Sequence, residues 1–464
     1  METSGTGSNL PDEMITYTCQ FLPYEGLCRL SQTCKKWYHF TWSLKEVSDV
    51  KICRLITKLF DKNVANFAVA FFSKPLPCLT SIDLKETKLT EEAARHLFNL
   101  AKTTTGLKYL RFKGVDLDAT YCSDFQSIPD GSIQHDFHTI PRILASNQRL
   151  EALQAPGIYQ PPFDFLEKAL SGSRIRHLDL SGTWFLPLSF AQALSRMAKL
   201  QTVILDGCRF EAQIIAECHR FFMSGQIRFL SLKHSRFKGS SNILPLAAPF
   251  ELKIKSLNTD MMECPIPGYQ NAFIKALEQP ECLLESLTAS VAVFQKFERI
   301  AQFFQAMKKN RSIRRLEITD VIMGRRIVAC ISNFLKEDRV CDELVLTHVF
   351  LRAPAQLTEA LCQATHLSRL TIKTDQISAR DLVQILKNNI SLKYLSISSS
   401  SLLSEDARPG AVGISQILQA LSENTTMETL VIKQVLQTYF GTAAVKDFSP
   451  VIKAYGLQDR IHIT

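Results

Sequence analysis

The stretch Ile313-Arg-Arg-Leu-Glu-Ile318 (IRRLEI) carries apolar residues at its first, fourth and sixth positions, and Leu392-Lys-Tyr-Leu-Ser-Ile397 (LKYLSI) repeats the pattern. Apolar residues alternating with polar ones over the second half of each segment have the period of a strand with one buried face. The segment recurs as LTSIDL at Leu79, LKYLRF at Leu107, IRHLDL at Ile175, LQTVIL at Leu200, IRFLSL at Ile227, CDELVL at Cys341, LSRLTI at Leu367 and METLVI at Met427. Weaker copies start at Leu150, Ile254 and Leu284. Most fourth positions, from Ile82 to Leu430, are 25 to 30 residues apart. Between them apolar residues take helical spacing, as in Ala93, Leu97 and Leu100, in Ile300, Phe303, Phe304 and Met307, or in Leu382, Ile385 and Leu386. Each unit reads strand, turn, helix.

Repetition at this period resembles the leucine-rich-repeat family, in the longer form with a true outer helix, as in ribonuclease inhibitor. One strand and one helix cannot bury their apolar faces alone, whereas stacked units share a continuous core. The fold class expected is therefore an α/β solenoid, a leucine-rich-repeat horseshoe with a parallel concave sheet and outer helices, over residues 79–435 in about 13 units. A doubly wound sheet of ordinary βα units is the alternative, and the regular spacing argues against it. The family often places Asn or Cys three residues after the last strand leucine. Here that position holds Thr87, Val115, Thr183, Cys208, Ser235, Val321, Val349, Asp375 and Ser400, of which only Cys208 conforms.

Upstream stands LPDEMITYTCQFLPYEGLCRLSQTCKKWYHF, Leu10 to Phe40. Pro11 suits the first turn of a helix, and Asp12 and Glu13 suit its positive end. Pro23 stops that helix, and two further short helices would carry Leu27 and Leu30, then Cys34 and Trp37. Three helices in about 30 residues bury too little surface to stand alone, so the segment must dock on something. It resembles the F-box: Leu10-Pro11-x-Glu13, Phe21-Leu22-Pro23, and Cys34-Lys35-x-Trp37 follow that family's order and spacing, with Thr18 departing from the usual aliphatic residue. The resemblance implies an N-terminal three-helix F-box-like module that binds a Skp-family adaptor, and through it a cullin and a RING subunit. It nominates Leu10, Pro11, Ile15, Leu22, Leu27, Leu30 and Trp37 for that contact. A generic helical cap for the repeats is the other reading.

The organisation expected is a disordered N-terminus over 1–9, an F-box-like domain over 10–48, a helical connector over 49–78 ending in Lys74-Pro75-Leu76-Pro77, the repeats over 79–435, and a C-terminal cap over 436–464. Hydrophobic residues make up 46% of the 464 and charged residues 21%, which suits a folded chain rather than general disorder. No apolar run reaches the roughly 20 residues of a membrane span, and Met1 to Asn9 does not read as a secretory signal. Thirteen scattered cysteines, an odd number with no C-x-x-C pair, fit reduced thiols in a cytoplasmic or nuclear protein. The net charge of +9 is spread along the chain and points to neither nucleic acid nor a membrane as partner.

In a strand of this pattern the residues flanking the inward leucines face outward. Lys85, Tyr109, Arg111, Lys113, Asp179, Phe229, Lys233, Arg315, Arg369, Lys373 and Tyr394 are thereby the candidates for binding a protein substrate, with Asp83, His177, Glu317 and Lys433 on the same face. Its basic lean suggests an acidic or phosphorylated target; the plainer reading is a solvated polar surface. Residues Asp118 to Phe137 and Ser396 to Val412 break the period, as binding loops or as tolerated insertions.

No phosphate-binding loop, nucleophile elbow or zinc-protease motif is present, so no active site, cofactor or metal is expected. Cys122-Ser123-Asp124 imitates the Cys-x-Asp of bacterial leucine-rich-repeat ligases, but that chemistry belongs to a separate domain beyond the repeats, and His135 and His138 read as solvated rather than metal-binding. The reading is a non-catalytic substrate-recognition subunit of a Skp/cullin/F-box ubiquitin ligase. Its alternatives are a repeat scaffold or inhibitor without a ubiquitin link, and a bacterial effector acting in the host cytosol by the same F-box logic.

Overall fold

The computed structural model describes residues 49–51, 81–83, 88–89, 107–111, 116–117, 149–154, 174–183, 188–211, 226–238, 252–260, 262, 269–290, 294, 296–337, 340–374, 376–398, 414–433 and 449–463. They belong to two compact units, Met1–Gln201 and Thr202–Thr464. In the first unit, strands β1 (Asp49–Lys51), β2 (Ser81–Asp83), β4 (Tyr109–Arg111), β6 (Ala152–Gln154) and β7 (His177–Asp179) pair in parallel in chain order. Two-residue strands β3 (Lys88–Leu89) and β5 (Asp116–Leu117) form a second small ladder, and helix α1 (Leu188–Arg196) follows β7. Helical spacing around Val50 predicted a helix at the start of the connector. Instead Asp49–Lys51 is a strand, because Val50 stands in register with Ile82 and extends the ladder by one rung.

The second unit continues the same scheme. Its main ladder runs β8 (Thr202–Ile204), β10 (Phe229–Ser231), β12 (Ser256–Thr259), β13 (Ser286–Ser290), β14 (Arg315–Met323), β15 (Glu343–Leu351), β16 (Arg369–Lys373), β17 (Tyr394–Ser398), β18 (Thr429–Lys433) and β19 (Ile461–Ile463), all parallel. β9 (Arg209–Glu211) and β11 (Arg236–Lys238) pair separately. Helices α2 (Tyr269–Leu277), α3 (Phe297–Lys309), α4 (Arg325–Glu337), α5 (Pro354–Gln363), α6 (Ala379–Asn388), α7 (Ile414–Glu423) and α8 (Ser449–Ala454) alternate with the strands from β12 onward. β19 carries the ladder past residue 435, into the segment read as a cap.

Register explains the repeat. Leu287, Leu316, Leu344, Leu370, Leu395 and Leu430 stand opposite one another on successive strands and are fully buried. Helices cover the other side of this core: Phe303 and Phe304 of α3 and Phe334 of α4 are buried with ring centroids 5.3 and 6.0 Å apart in sequence order. The helical stripes Ile300/Phe303/Phe304/Met307 and Leu382/Ile385/Leu386 are buried as their spacing predicts. α6 opens with a capping box, in which Ser378 Oγ accepts from Asp381 N and Asp381 Oδ2 accepts from Ser378 N at 3.1 Å. Asp381 Oδ1 also accepts from Thr358 of α5 at 3.1 Å, so the cap stitches neighbouring repeats.

Candidate protein-binding surface

Two sets of polar groups close the turns that hold the strand face in place. In the repeats around β7, β8 and β10 the chain leaves the strand through a left-handed residue, Gly182 (φ 73°), Gly207 (φ 69°) or His234 (φ 55°). The residue after it is Thr183, Cys208 or Ser235, all buried. Thr183 Oγ1 donates to Leu180 O at 2.6 Å and Ser235 Oγ to Leu205 O at 2.7 Å. These are the positions at which the family places Asn or Cys, so the departures satisfy turn carbonyls with a hydroxyl instead. In β14 and β15 the same position holds Val321 and Val349, and no side-chain stitch is needed because the nine-residue strands run on and pair through it.

The second set lies at the strand entrance. Asn389 Nδ2 donates to Leu361 O (2.6 Å) and Ala364 O (3.0 Å), while its Oδ1 accepts from Ser391 N (2.9 Å) and Leu392 N (2.8 Å). Asn310 does the same between Leu277 O and the amides of Ser312 and Ile313, and Asn424 between Leu386 O and the amides of Thr426 and Met427. In the last unit Arg460 takes over, donating to Asn424 O at 2.7 Å and to Met427 O. Asn-x-Ser/Thr-apolar stands ahead of three strand segments, a signal that the spacing of apolar residues does not contain.

On this frame the outward side chains can be placed. Tyr109 is exposed, Phe229 and Tyr394 are half-buried, and Arg315, Arg369 and Lys373 are exposed. Arg111 lies in β4. Lys233 is partly exposed and pairs with Asp260 at 3.1 Å. Arg315 pairs with Glu317 (3.2 Å) and with Glu343 of the next strand (3.3 Å). The guanidinium of Arg369 lies over the ring of Tyr394, 4.7 Å from its centroid. Asp179 is a correction: expected on the exposed face, it is only 3% exposed, because its Oδ1 accepts from Ser181 N (3.1 Å) and Ser181 Oγ (2.6 Å) and so serves the turn. The remaining candidates, Lys85 and Lys113 on the strand face and Leu10, Pro11, Ile15, Leu22, Leu27, Leu30 and Trp37 in the N-terminal segment, lie outside the described residues, as do both candidate loops apart from Ser396 to Ser398.

A recess lined by Thr259, Met262, Phe273, Ser290 and Phe294 has a volume of about 20 Å³, room for one water. Burial pushes the Cys330 and Cys362 thiols up from their ordinary value, the opposite of an activated nucleophile. Among the described residues no group of His, Cys, Asp and Glu could hold a metal ion, and no helix is long and apolar enough to cross a membrane.

Comparison with known proteins identifies the N-terminal segment. The F-box domain family matches residues 8–47. No curated protein matches the chain. Among solved structures, a plant peptide hormone receptor, RGFR1 in complex with RGF2, aligns over 79% of this chain and 69% of its own, at 14% identity and a TM-score of 0.30. The chain thus carries an F-box domain at residues 8–47, ahead of a parallel strand-and-helix array. F-box proteins in general are adaptors rather than catalysts.

Proposed function

We propose that this protein is the substrate-recognition subunit of a Skp/cullin/F-box ubiquitin ligase. The observation that carries the reading is the F-box domain at residues 8–47, upstream of a repeat array whose outward strand face is free of any covering element among the described residues. The F-box docks on a Skp-family adaptor through Leu10, Pro11, Ile15, Leu22, Leu27, Leu30 and Trp37, some of which form the module's own core. The repeats hold the target protein, and ubiquitin transfer belongs to other subunits. The free thiols Cys208, Cys282, Cys330, Cys341 and Cys362 support work in a reducing compartment, cytoplasm or nucleus, a host's cytosol included. Affinity capture of the full chain from cells should recover Skp-family adaptor and cullin. Recovery of neither would leave a repeat scaffold without a ubiquitin link.

A further inference from the structure

Cations on the strand face are distributed unevenly. From β10 to β15, Lys233 reaches Asp260, Lys255 reaches Glu285 at 2.6 Å, and Arg315 reaches Glu317 and Glu343. On β16, β17 and β18 the outward positions carry Arg369, Lys373 and Lys433 and no carboxylate. All three cations are exposed, and among the described residues none has an ion-pair partner. Parallel register sets them out: Arg369 stands beside Tyr394, and Lys373 and Lys433 flank Ser398, two strands or roughly 10 Å apart.

We infer that the outward face of β16 to β18 binds an acidic segment of a protein partner, a deepening of the substrate-adaptor reading on which it rests. Three cations without an ion-pair partner among the described residues, beside strands whose charges are internally compensated, form a patch complementary to carboxylates. Arg369 stacks on Tyr394, which fixes the plane of the guanidinium and leaves its edge to fork a carboxylate. Lys373 and Lys433 add two point charges a short distance along the same face, and Thr371 and Ser398 between them can donate hydroxyl hydrogen bonds.

The test uses the full chain and a short fluorescein-labelled polyglutamate peptide, read by anisotropy at low and physiological salt. Arg369→Glu, Lys373→Glu and Lys433→Glu together should weaken binding at least about tenfold. The same charge change at Lys255→Glu, Lys387→Glu and Lys453→Glu, all exposed and lying ahead of β12 or on helices α6 and α8, should leave most of it. Arg369→Lys, which keeps the charge and loses the fork, should fall between. Equal loss in both triple variants, no binding by the unaltered chain, or a patch-dependent preference for a single-stranded oligonucleotide over the peptide would overturn the inference. Adaptor capture, measured in parallel, separates the two readings: its loss in the unaltered chain strikes the ligase assignment and leaves the peptide result standing.

Discussion

The repeats at β8 and β10 and those at β14, β17 and β18 solve one backbone problem at opposite ends of the strand. The earlier set satisfies its turn at the strand exit, with Ser235 making a single bond to Leu205 O. The later set works at the strand entrance, where Asn389 joins two repeats through four bonds to backbone groups. The buried amide of Asn389 donates twice to the previous repeat and accepts twice from its own, whereas the Ser235 hydroxyl reaches the previous repeat through a single bond. The later repeats should therefore respond to loss of their stitch more sharply than the earlier ones.

Core truncation sets the scale for that contrast, because both sets share the leucine ladder. Leu370→Ala, at a fully buried rung between Leu344 and Leu395, should cost about 2–5 kcal/mol in urea denaturation. Asn389→Ala takes the acceptor from the Ser391 and Leu392 amides and one donor from each of Leu361 O and Ala364 O, and should cost about 3 kcal/mol, with faster amide exchange on both β16 and β17. Ser235→Ala removes one bond, between the turns after β10 and β8, and should cost about 1 kcal/mol, with exchange altered only around those two turns. Equal losses for the last two variants would break the comparison.

Much of the array was legible in the sequence for a physical reason. Inward leucines recur because each strand must bury the same side, so IRRLEI and LKYLSI announce register as well as strand. The start of the connector, expected to be helical, is a strand because the ladder edge beside Ile82 recruits Asp49–Lys51. Asp179 was misplaced because alternation alone does not reveal that Ser181 and the turn at Gly182 draw its carboxylate inward. The asparagine stitches sit three residues ahead of the strand segments, where a search for the family's residue after the strand does not look. The F-box was legible because Leu10-Pro11-x-Glu13, Phe21-Leu22-Pro23 and Cys34-Lys35-x-Trp37 fix both residue type and spacing.

The ligase assignment rests on that N-terminal segment, so direct binding of purified Skp-family adaptor to the purified full chain is its most immediate test. Calorimetry should give a one-to-one complex, weakened by about 2 kcal/mol or more in the Leu10→Ala, Pro11→Ala variant, with the repeat array's denaturation curve unchanged. No heat of binding from the unaltered chain, or equal affinity in the variant, would contradict the account.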